Sequence, residues 1–296
     1  MKKTLVSIII PCYNYGKYLE QAVLSAVKQT HKNIEVIIIN DGSIDNTKEV
    51  AAELVKRFPV VRYYGQQNRG IITTRNRGVS LAKGQYLIQL DADDWLHPKY
   101  VEKTLRAAEK HKADVVYTQA KIFGRVNFVT NFPDFNIEFL KHNNFMHASS
   151  LVKRSVFNGD RQYDKYLGGL RNEDWDLFLD ACMDGKRAVR VNEPLLNYRK
   201  HAVHKSRSDN LGQDNLFKDA LVRHHIYSKQ NAKHPKEMWY FSPYITMLKE
   251  YIDETLQRKE EAQVAAETAA NAPATLNIRV PGGRTIENLT RRIRKD

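Results

Sequence analysis

Runs of apolar, β-branched residues recur through the first 120 positions: LVSIIIP (5–11), IEVIIIND (34–41), VRYYGQ (61–66), QYLIQLD (85–91) and ADVVYTQA (113–120). Several are apolar at consecutive rather than alternate positions, the pattern of strands covered on both faces of a parallel sheet. Between them, apolar residues return at helical spacing. In KYLEQAVLSAVKQT (17–30), Leu19, Val23, Ala26 and Val27 share one stripe. Asp45 and Asn46 stand where they can cap TKEVAAELVKRF (47–58). ITTRNRGVSLAKG (72–84) is expected to stop at Gly84, and HPKYVEKTLRAAEKH (97–111) carries Pro98 near its first turn. Strand and helix in alternation predict an α/β fold with a doubly wound, mainly parallel sheet.

The pattern then loosens. NEDWDLFLDACMDG (172–185) reads as a helix with Trp175, Phe178, Leu179 and Cys182 on one face, and RAVRVNEPLLNYRKH (187–201) as strands interrupted by Pro194. From about 206 the chain turns helical, with NLFKDALVRHHIYSKQN (215–231) and SPYITMLKEYIDETLQRKEE (242–261). In the latter Ser242 can cap, Pro243 suits the first turn, and Tyr244, Leu248, Tyr251, Ile252 and Thr255 line one side. Residues 262–283 are Ala-rich, then Pro/Gly-rich, and read as a tether. TIENLTRRIRKD (285–296) can form a short helix with Ile286, Leu289 and Ile293 beside Arg291, Arg292, Arg294 and Lys295. The expected division is an α/β domain over 1–205, a helical extension over 206–261, and a flexible tether with a basic amphipathic tail over 262–296.

Composition narrows the class. At 296 residues and 42% hydrophobic, the chain can build a large core. No apolar run approaches the roughly 20 residues of a membrane span, and the run Leu5–Ile10 is short for a secretory signal. A cytoplasmic protein is expected. Cys12 and Cys182 read as free buried thiols, since two isolated cysteines make neither a disulfide framework nor a zinc site. A net charge of +13 suits an anionic partner. No nucleic-acid-binding signature is present, so nucleic acid is not the expected one. Nucleotide phosphates remain, as does an anionic membrane surface met by the basic tail, which would place the protein peripherally at the inner face of the plasma membrane.

Candidate chemistry gathers where strands end. In doubly wound sheets ligands sit beyond the carboxyl ends of the strands, and Asn14, Asp41 and Asp91 all fall there. YLIQLDADDWLHP (86–98) ends an apolar strand in Asp91, Asp93 and Asp94. Such close carboxylates repel, so a cation between them or a suppressed ionisation is expected. Hard oxygen ligands without a neighbouring histidine or thiolate favour Mn²⁺ or Mg²⁺, completed by substrate phosphates. Otherwise the stretch is a solvated turn; Asp94 reads as a cap of the helix near Pro98. Asp41, in NDGSIDNT, either caps its turn or accepts hydrogen bonds from a base or ribose. Arg75 can hold a base carbonyl or a phosphate, or lie on the surface. Glu173 and Asp174 open a helix, where acids complement the dipole or supply a general base. His201 and His204 read as a surface loop rather than a two-histidine metal site.

Taken in order, these residues resemble family 2 glycosyltransferases of the GT-A fold, over about the first 205 positions. The stretch from VSIIIPCYNYGKYLE to INDGSIDNT is similar to the family's nucleotide-binding half. NRGIITTRNRGVSLAKGQYLIQLDADDWLHPKYV resembles its second signature with the Asp-x-Asp, NEDWDLFL its acceptor-side helix, and NEPLLNYRKHAVHKS its closing segment. Departures are Ile44 within Ser43-Ile44-Asp45, Thr74 before Arg75, and Asp180 where the family helix often ends in arginine.

The resemblance implies a GT-A type, Rossmann-like sheet with a C-terminal helical extension. It implies Pro11, Tyr13 and Asn14 around the base, Asp41 and Asp91 at base or ribose, and Arg75 near the nucleotide. Asp93 is the first metal ligand it implies, with Asp91 and His201 beside it. Asp174 is the implied catalytic base and Glu173 its understudy. The stretch 143–151, with His147 and Ser149, and Trp175 are expected on the acceptor side. The implied activity is inverting transfer from a nucleoside diphosphate sugar, a UDP-sugar first, to a saccharide or lipid-linked acceptor in surface polysaccharide or lipopolysaccharide synthesis. Two rivals are a haloacid-dehalogenase-like phosphatase using Asp91-x-Asp93 and a catalytically dead nucleotide-sugar-binding scaffold.

Overall fold

Four of the apolar runs form parallel strands, β1 (Val6–Cys12), β2 (Ile34–Asp41), β3 (Val61–Gln66) and β4 (Tyr86–Gln89), in the order β3-β2-β1-β4. The structure, a computed structural model, describes residues 4–158, 161–167, 170, 172–201, 213–238 and 241–271. β1 and β2 are buried along their whole length, in register from Val6↔Ile34 to Cys12↔Asn40. The reason is cover on both faces. Helices α1 (Gly16–Val27) and α2 (Thr47–Arg57) pack on Ile8, Ile10, Val36 and Ile38. On the other face, Ile9, Ile37 and Ile39 form a separate cluster with Ala82 and Leu87, joined by Val79 of α3 (Ile71–Leu81). The continuous apolar pattern therefore corresponds to two cores, one per face.

The second half widens this sheet. In chain order it supplies β5 (Trp95–Leu96), α4 (Tyr100–His111), β6 (Val115–Gly124), β7 (Phe128–Val129), α5 (Ile137–His142), β8 (Leu151–Lys153), α6 (Glu173–Met183) and β9 (Ala188–Lys200). Short β8 lies antiparallel between β4 and β6, and β9 runs parallel to β6. Pro194 does not split β9 in two. The register slips instead, from Thr118↔Val191 to Gln119↔Pro194 to Ala120↔Leu196, a bulge that accommodates a residue without an N–H.

Helices α7 (Gln213–Lys233), α8 (Pro235–Met238) and α9 (Ser242–Asn271) follow. Phe217, Ile226 and Tyr227 of α7 and Leu248 and Ile252 of α9 share a core with Trp175, Phe178 and Leu179 of α6. On α9 the expected stripe is buried only at Leu248 and Ile252; Tyr244 and Tyr251 stay exposed. The helix runs on to Asn271, into the Ala-rich stretch expected as a tether, because alanine is the best helix former. The tail 285–296 and His204 lie outside the described residues. No described helix is long and apolar enough to cross a membrane.

Three local expectations change. Of the two proposed caps of α2, Asp45 makes the bonds, accepting the Thr47 N–H (3.1 Å) and hydroxyl (2.5 Å), while Asn46 makes no side-chain cap. α4 starts at Tyr100, and the Pro98 carbonyl instead accepts the Thr30 N–H (2.9 Å). α3 stops at Leu81, and Gly84 serves a different purpose from a helix stop. It lies against β1, where a Cβ would sit 2.6 Å from both the backbone nitrogen and the hydroxyl of Ser7, and its N–H donates to that hydroxyl (2.8 Å). Gly84→Ala is therefore expected to destabilise the fold by about 1–3 kcal/mol, as overpacking does, read as a lower urea midpoint at unchanged slope.

Candidate active site

The carboxyl ends of β1, β2 and β4 open onto a cleft of about 540 Å³. Pro11, Tyr13, Asp41, Arg75, Asp91 and Asp93 all line it. Pro11 is the penultimate, buried residue of β1, and Tyr13 stands at the rim with 44% of its surface exposed. Asp41 is buried, and its carboxylate holds the chain that follows β3: Oδ1 accepts from Gln66 Nε2 (2.7 Å) and the Arg69 N–H (2.8 Å), Oδ2 from the Gly70 N–H (2.9 Å). Asn14 belongs elsewhere. It does not line the cleft; its Oδ1 accepts the Ile44 N–H (2.8 Å) and its own N–H donates to Ser43 Oγ (2.9 Å), stitching two loops together. A backbone φ of 56°, tolerated by asparagine, makes that turn.

A second cavity, of about 520 Å³, lies between β6, β9 and α6. Asn144, His147, Ser149, Glu173 and Asp174 line it. The two cavities share a wall of Ile71, Arg75, Asp91, Asp94, Tyr198 and Lys200. Arg75 is the centre of that wall. Its guanidinium is buried, with one nitrogen on Asp91 Oδ1 (2.8 Å), another on Glu173, and the Tyr163 ring 5.8 Å away. Burial alone would weaken its charge, but the two carboxylates more than restore it, so it stays protonated. It is not a surface arginine.

The clustered aspartates find their partners at the end of β9 and the residue after it. His201 Nε2 meets Asp93 Oδ2 at 2.7 Å. Asp94 does not cap α4. It is buried and accepts the Arg199 N–H (2.8 Å), while the Arg199 guanidinium donates to the Asp93 carbonyl (3.0 Å) and rests on the rings of Tyr18 and Phe123. Burial pushes the Asp93 and Asp94 carboxyls up, the neighbouring acids push further, and the β9 groups pull back. His201 is thus no surface-loop residue. Among the described residues no three histidine, cysteine or acidic side chains converge as a ready-made metal cage. Asp91, Asp93 and His201 nevertheless line one cleft. Such a partial set fits a hard divalent cation that completes its shell with water and phosphate oxygens.

The two acids opening α6 differ in environment. Glu173 is buried and bound to Arg75. Asp174 reaches the second cavity, and its Oδ1 accepts from the Trp175 N–H (2.9 Å) and from Asn144 Nδ2 (3.0 Å). Burial and then the Glu173 charge raise its carboxyl to about 7, against the pull of Arg75. His147 is held neutral by burial, pushed down to about 4; Nε2 lies 3.3 Å from the Thr118 carbonyl and Nδ1 has no protein partner among the described residues. Ser149 lines the same cavity, its carbonyl taking the Tyr100 hydroxyl (2.5 Å). Trp175 does not. It is 1% exposed, donates its indole N–H to the Leu140 carbonyl (2.6 Å) and packs edge-on to Tyr227, because its helix position faces the core shared with α7. Cys12 and Cys182 are free and buried, with thiols pushed up to about 11 and 12, and are unreactive on that ground.

Sequence reasoning did not single out Tyr198, and reached Asn144 only as part of the stretch 143–151. The former was readable: Leu196, Tyr198 and Lys200 alternate along β9, and all three line the second cavity. Asn144 sits in an irregular stretch where no periodicity signals direction.

Residues 7–160 match Glycosyl transferase family 2, a span that includes Asp91-x-Asp93 and removes the phosphatase reading of those aspartates. The chain is 29% identical over 219 residues to the glycosyltransferase GlyG of Streptococcus pneumoniae serotype 4, covering 67% of this chain and 71% of that protein. It is 30% identical over 239 residues to the uncharacterized glycosyltransferase YibD of Escherichia coli K12, covering 75% and 68%. Against the chondroitin synthase of Pasteurella multocida it is 48% identical over 115 residues, 38% of this chain but 12% of that protein. Among solved structures, S. aureus TarS 1–349 in complex with UDP-GlcNAc aligns with a TM-score of 0.62 at 15% identity, over 75% of this chain and 66% of that one. The Pyrobaculum calidifontis mannosyltransferase PcManGT, in complex with GDP-Man and Mn²⁺, aligns at 0.58 and 17%, over 92% and 76%. At such identity the structures speak for the fold, which is the expected GT-A type. The chain is a glycosyltransferase and belongs to glycosyl transferase family 2.

Proposed function

We propose that this protein transfers a sugar, with inversion, from a nucleoside diphosphate sugar in the first cleft to a hydroxyl of a saccharide or lipid-linked acceptor in the second. The wall common to both cavities carries this reading, because it lets a donor and an acceptor meet at one place. Tyr13 and Pro11 flank the base, and Asp41 shapes the base pocket through the backbone it holds. Asp93 and His201, with Asp91, are the residues that would hold Mn²⁺ or Mg²⁺. When bound, the cation offsets the charge that builds on the departing diphosphate. PcManGT, with its GDP-Man and Mn²⁺, supports a metal-assisted donor site, and TarS with UDP-GlcNAc supports a UDP-sugar as the first donor to try.

Asp174 is the base in this scheme, and Glu173 is not, since Arg75 holds it. Both hydrogen bonds to Asp174 fall on Oδ1, leaving Oδ2 for the acceptor hydroxyl. That oxygen takes the hydroxyl proton, the acceptor oxygen bonds to the anomeric carbon from the face opposite the diphosphate, and the sugar–phosphate bond breaks. His147 Nδ1 accepts a second acceptor hydroxyl, Ser149 adds a polar contact, and Lys200 adds positive charge beside the donor. The chondroitin synthase similarity points to polysaccharide assembly. Residues 1–205 form the transferring unit. In the extension expected over 206–261, α7 and α9, the latter running to Asn271, buttress it through their core with α6, and the basic tail meets an anionic membrane surface at the inner face.

Three outcomes follow. UDP with Mn²⁺ should raise the melting temperature of the wild type, and Asp93→Asn should lose most of that rise; equal shifts in the two proteins would remove Asp93 from the metal site. Asp174→Asn should lower kcat by about 10²–10⁴-fold while keeping the UDP–Mn²⁺ shift; a variant of normal kcat excludes Asp174 as base. Because the base must be ionised, kcat should rise tenfold per pH unit below about 7 and level off above it, tracked from pH 5 to 9.

A further inference from the structure

Helix α6 carries more acid than its proposed chemistry uses. Glu173, Asp176 and Asp180 recur at i, i+3 and i+7, on one face. Glu173 meets Arg75 at the active site; the other two point into a buried layer against α7. Asp176 is fully buried and Asp180 nearly so. Lys229 reaches Asp176 Oδ2 at 2.7 Å. One turn on, Lys233 donates to Asp180 Oδ1 at 2.5 Å beside Gln230 Nε2 at 3.1 Å, while Arg161 Nε donates to Asp180 Oδ2 at 2.7 Å. Asp180 is, with Ile44 and Thr74, one of the three positions at which this sequence departs from the family pattern, and of these it is the one on α6.

The same α7 face grips a second segment. Lys229 Nζ also lies 3.6 Å from Asp164, and His225 Nε2 bonds that carboxylate at 2.9 Å while its ring stacks on Tyr166 at 4.2 Å. Asp164 adjoins Tyr163, whose ring lies by Arg75 and whose backbone is held by Asn76 on both sides, N–H to Oδ1 (3.0 Å) and carbonyl from Nδ2 (2.8 Å). Lys229 thus bridges the two elements that flank the Arg75–Glu173 pair: α6, which presents Asp174, and the 161–167 segment, which presents Tyr163.

We propose that Lys229 is a positioning residue for sugar transfer, and that the C-terminal helices fix the angle at which α6 presents Asp174 to the acceptor. The donor cleft is built from the ends of β1, β2, β4 and β9 and the start of α3 and has no residue on α7, α6 or the 161–167 segment, so donor binding and turnover should separate. This inference rests on the proposed role of Asp174.

The test uses the full chain. In Lys229→Met, hydrogen exchange should quicken tenfold or more in peptides covering 161–167 and the start of α6 and stay unchanged in β1–β4. The UDP–Mn²⁺ stabilisation should stay within twofold in apparent affinity. With the UDP-sugar that supports turnover, kcat should fall about 10- to 100-fold, the scale of a misplaced reacting group, and Lys229→Arg should restore most of it. Should Lys229→Met fold poorly, Lys229→Met/Asp176→Leu replaces the buried pair by apolar side chains, which regains stability without the tie to Asp164; its kcat should remain low. Wild-type exchange in α6, or wild-type kcat in the double variant, overturns the proposal. A fully active Asp174→Asn would instead fail the reading of the base, while the exchange data would still report on Lys229.

Discussion

A single buried guanidinium joins the two halves of this active site. Arg75 comes from α3, Asp91 from the end of β4 and Glu173 from the start of α6, 98 positions away along the chain. None of the three would be stable in place alone. A buried cation needs partners, and breaking one such ion pair costs about 3–5 kcal/mol, a large share of the about 5–15 kcal/mol that holds a domain folded. The part of Asp91 that faces solvent lowers its side of that sum. Glu173 is the more enclosed partner and depends on Arg75 the more.

Around that centre the sheet and helices act as a frame with two fixings. The end of β9 and the residue after it close the proposed donor cleft, where Arg199 and His201 tie down Asp94 and Asp93. The α6–α7 layer backs the helix that lines the second cavity, where Lys229 and Lys233 hold Asp176 and Asp180. In each case acids placed at a strand or helix end are matched by bases from an element far along the chain. The charge of neighbouring acids is what makes both fixings necessary: without their counter-charges, Asp91, Asp93 and Asp94 would drive their turn apart.

Much of this was legible in the residues. Continuous apolar runs marked β1, β2 and β4, since burial on both faces leaves no alternation, and the acids at their ends marked the ligand edge. The ordered motifs marked the family. Other parts were hidden for physical reasons. A glycine after a helix reads as a stop, yet Gly84 is there because Ser7 leaves no room for a Cβ. An aspartate before a helix reads as a cap, yet Asp94 turns inward to a strand 105 residues on. Trp175 sits beside the proposed base, but helical geometry rotates it about 100° away, into the core.

The sequence by itself determined the strand order's raw material, the family and the chemical kind of each site residue, because apolar periodicity and motif spacing are local properties of the chain. Tertiary structure decided which acid is free and which is held. Glu173 and Asp174 are adjacent and chemically alike; Arg75 binds the first, while burial and the charge of that neighbour raise the second to about 7. That distinction rests on burial and on charges brought from distant elements, and no local pattern records it.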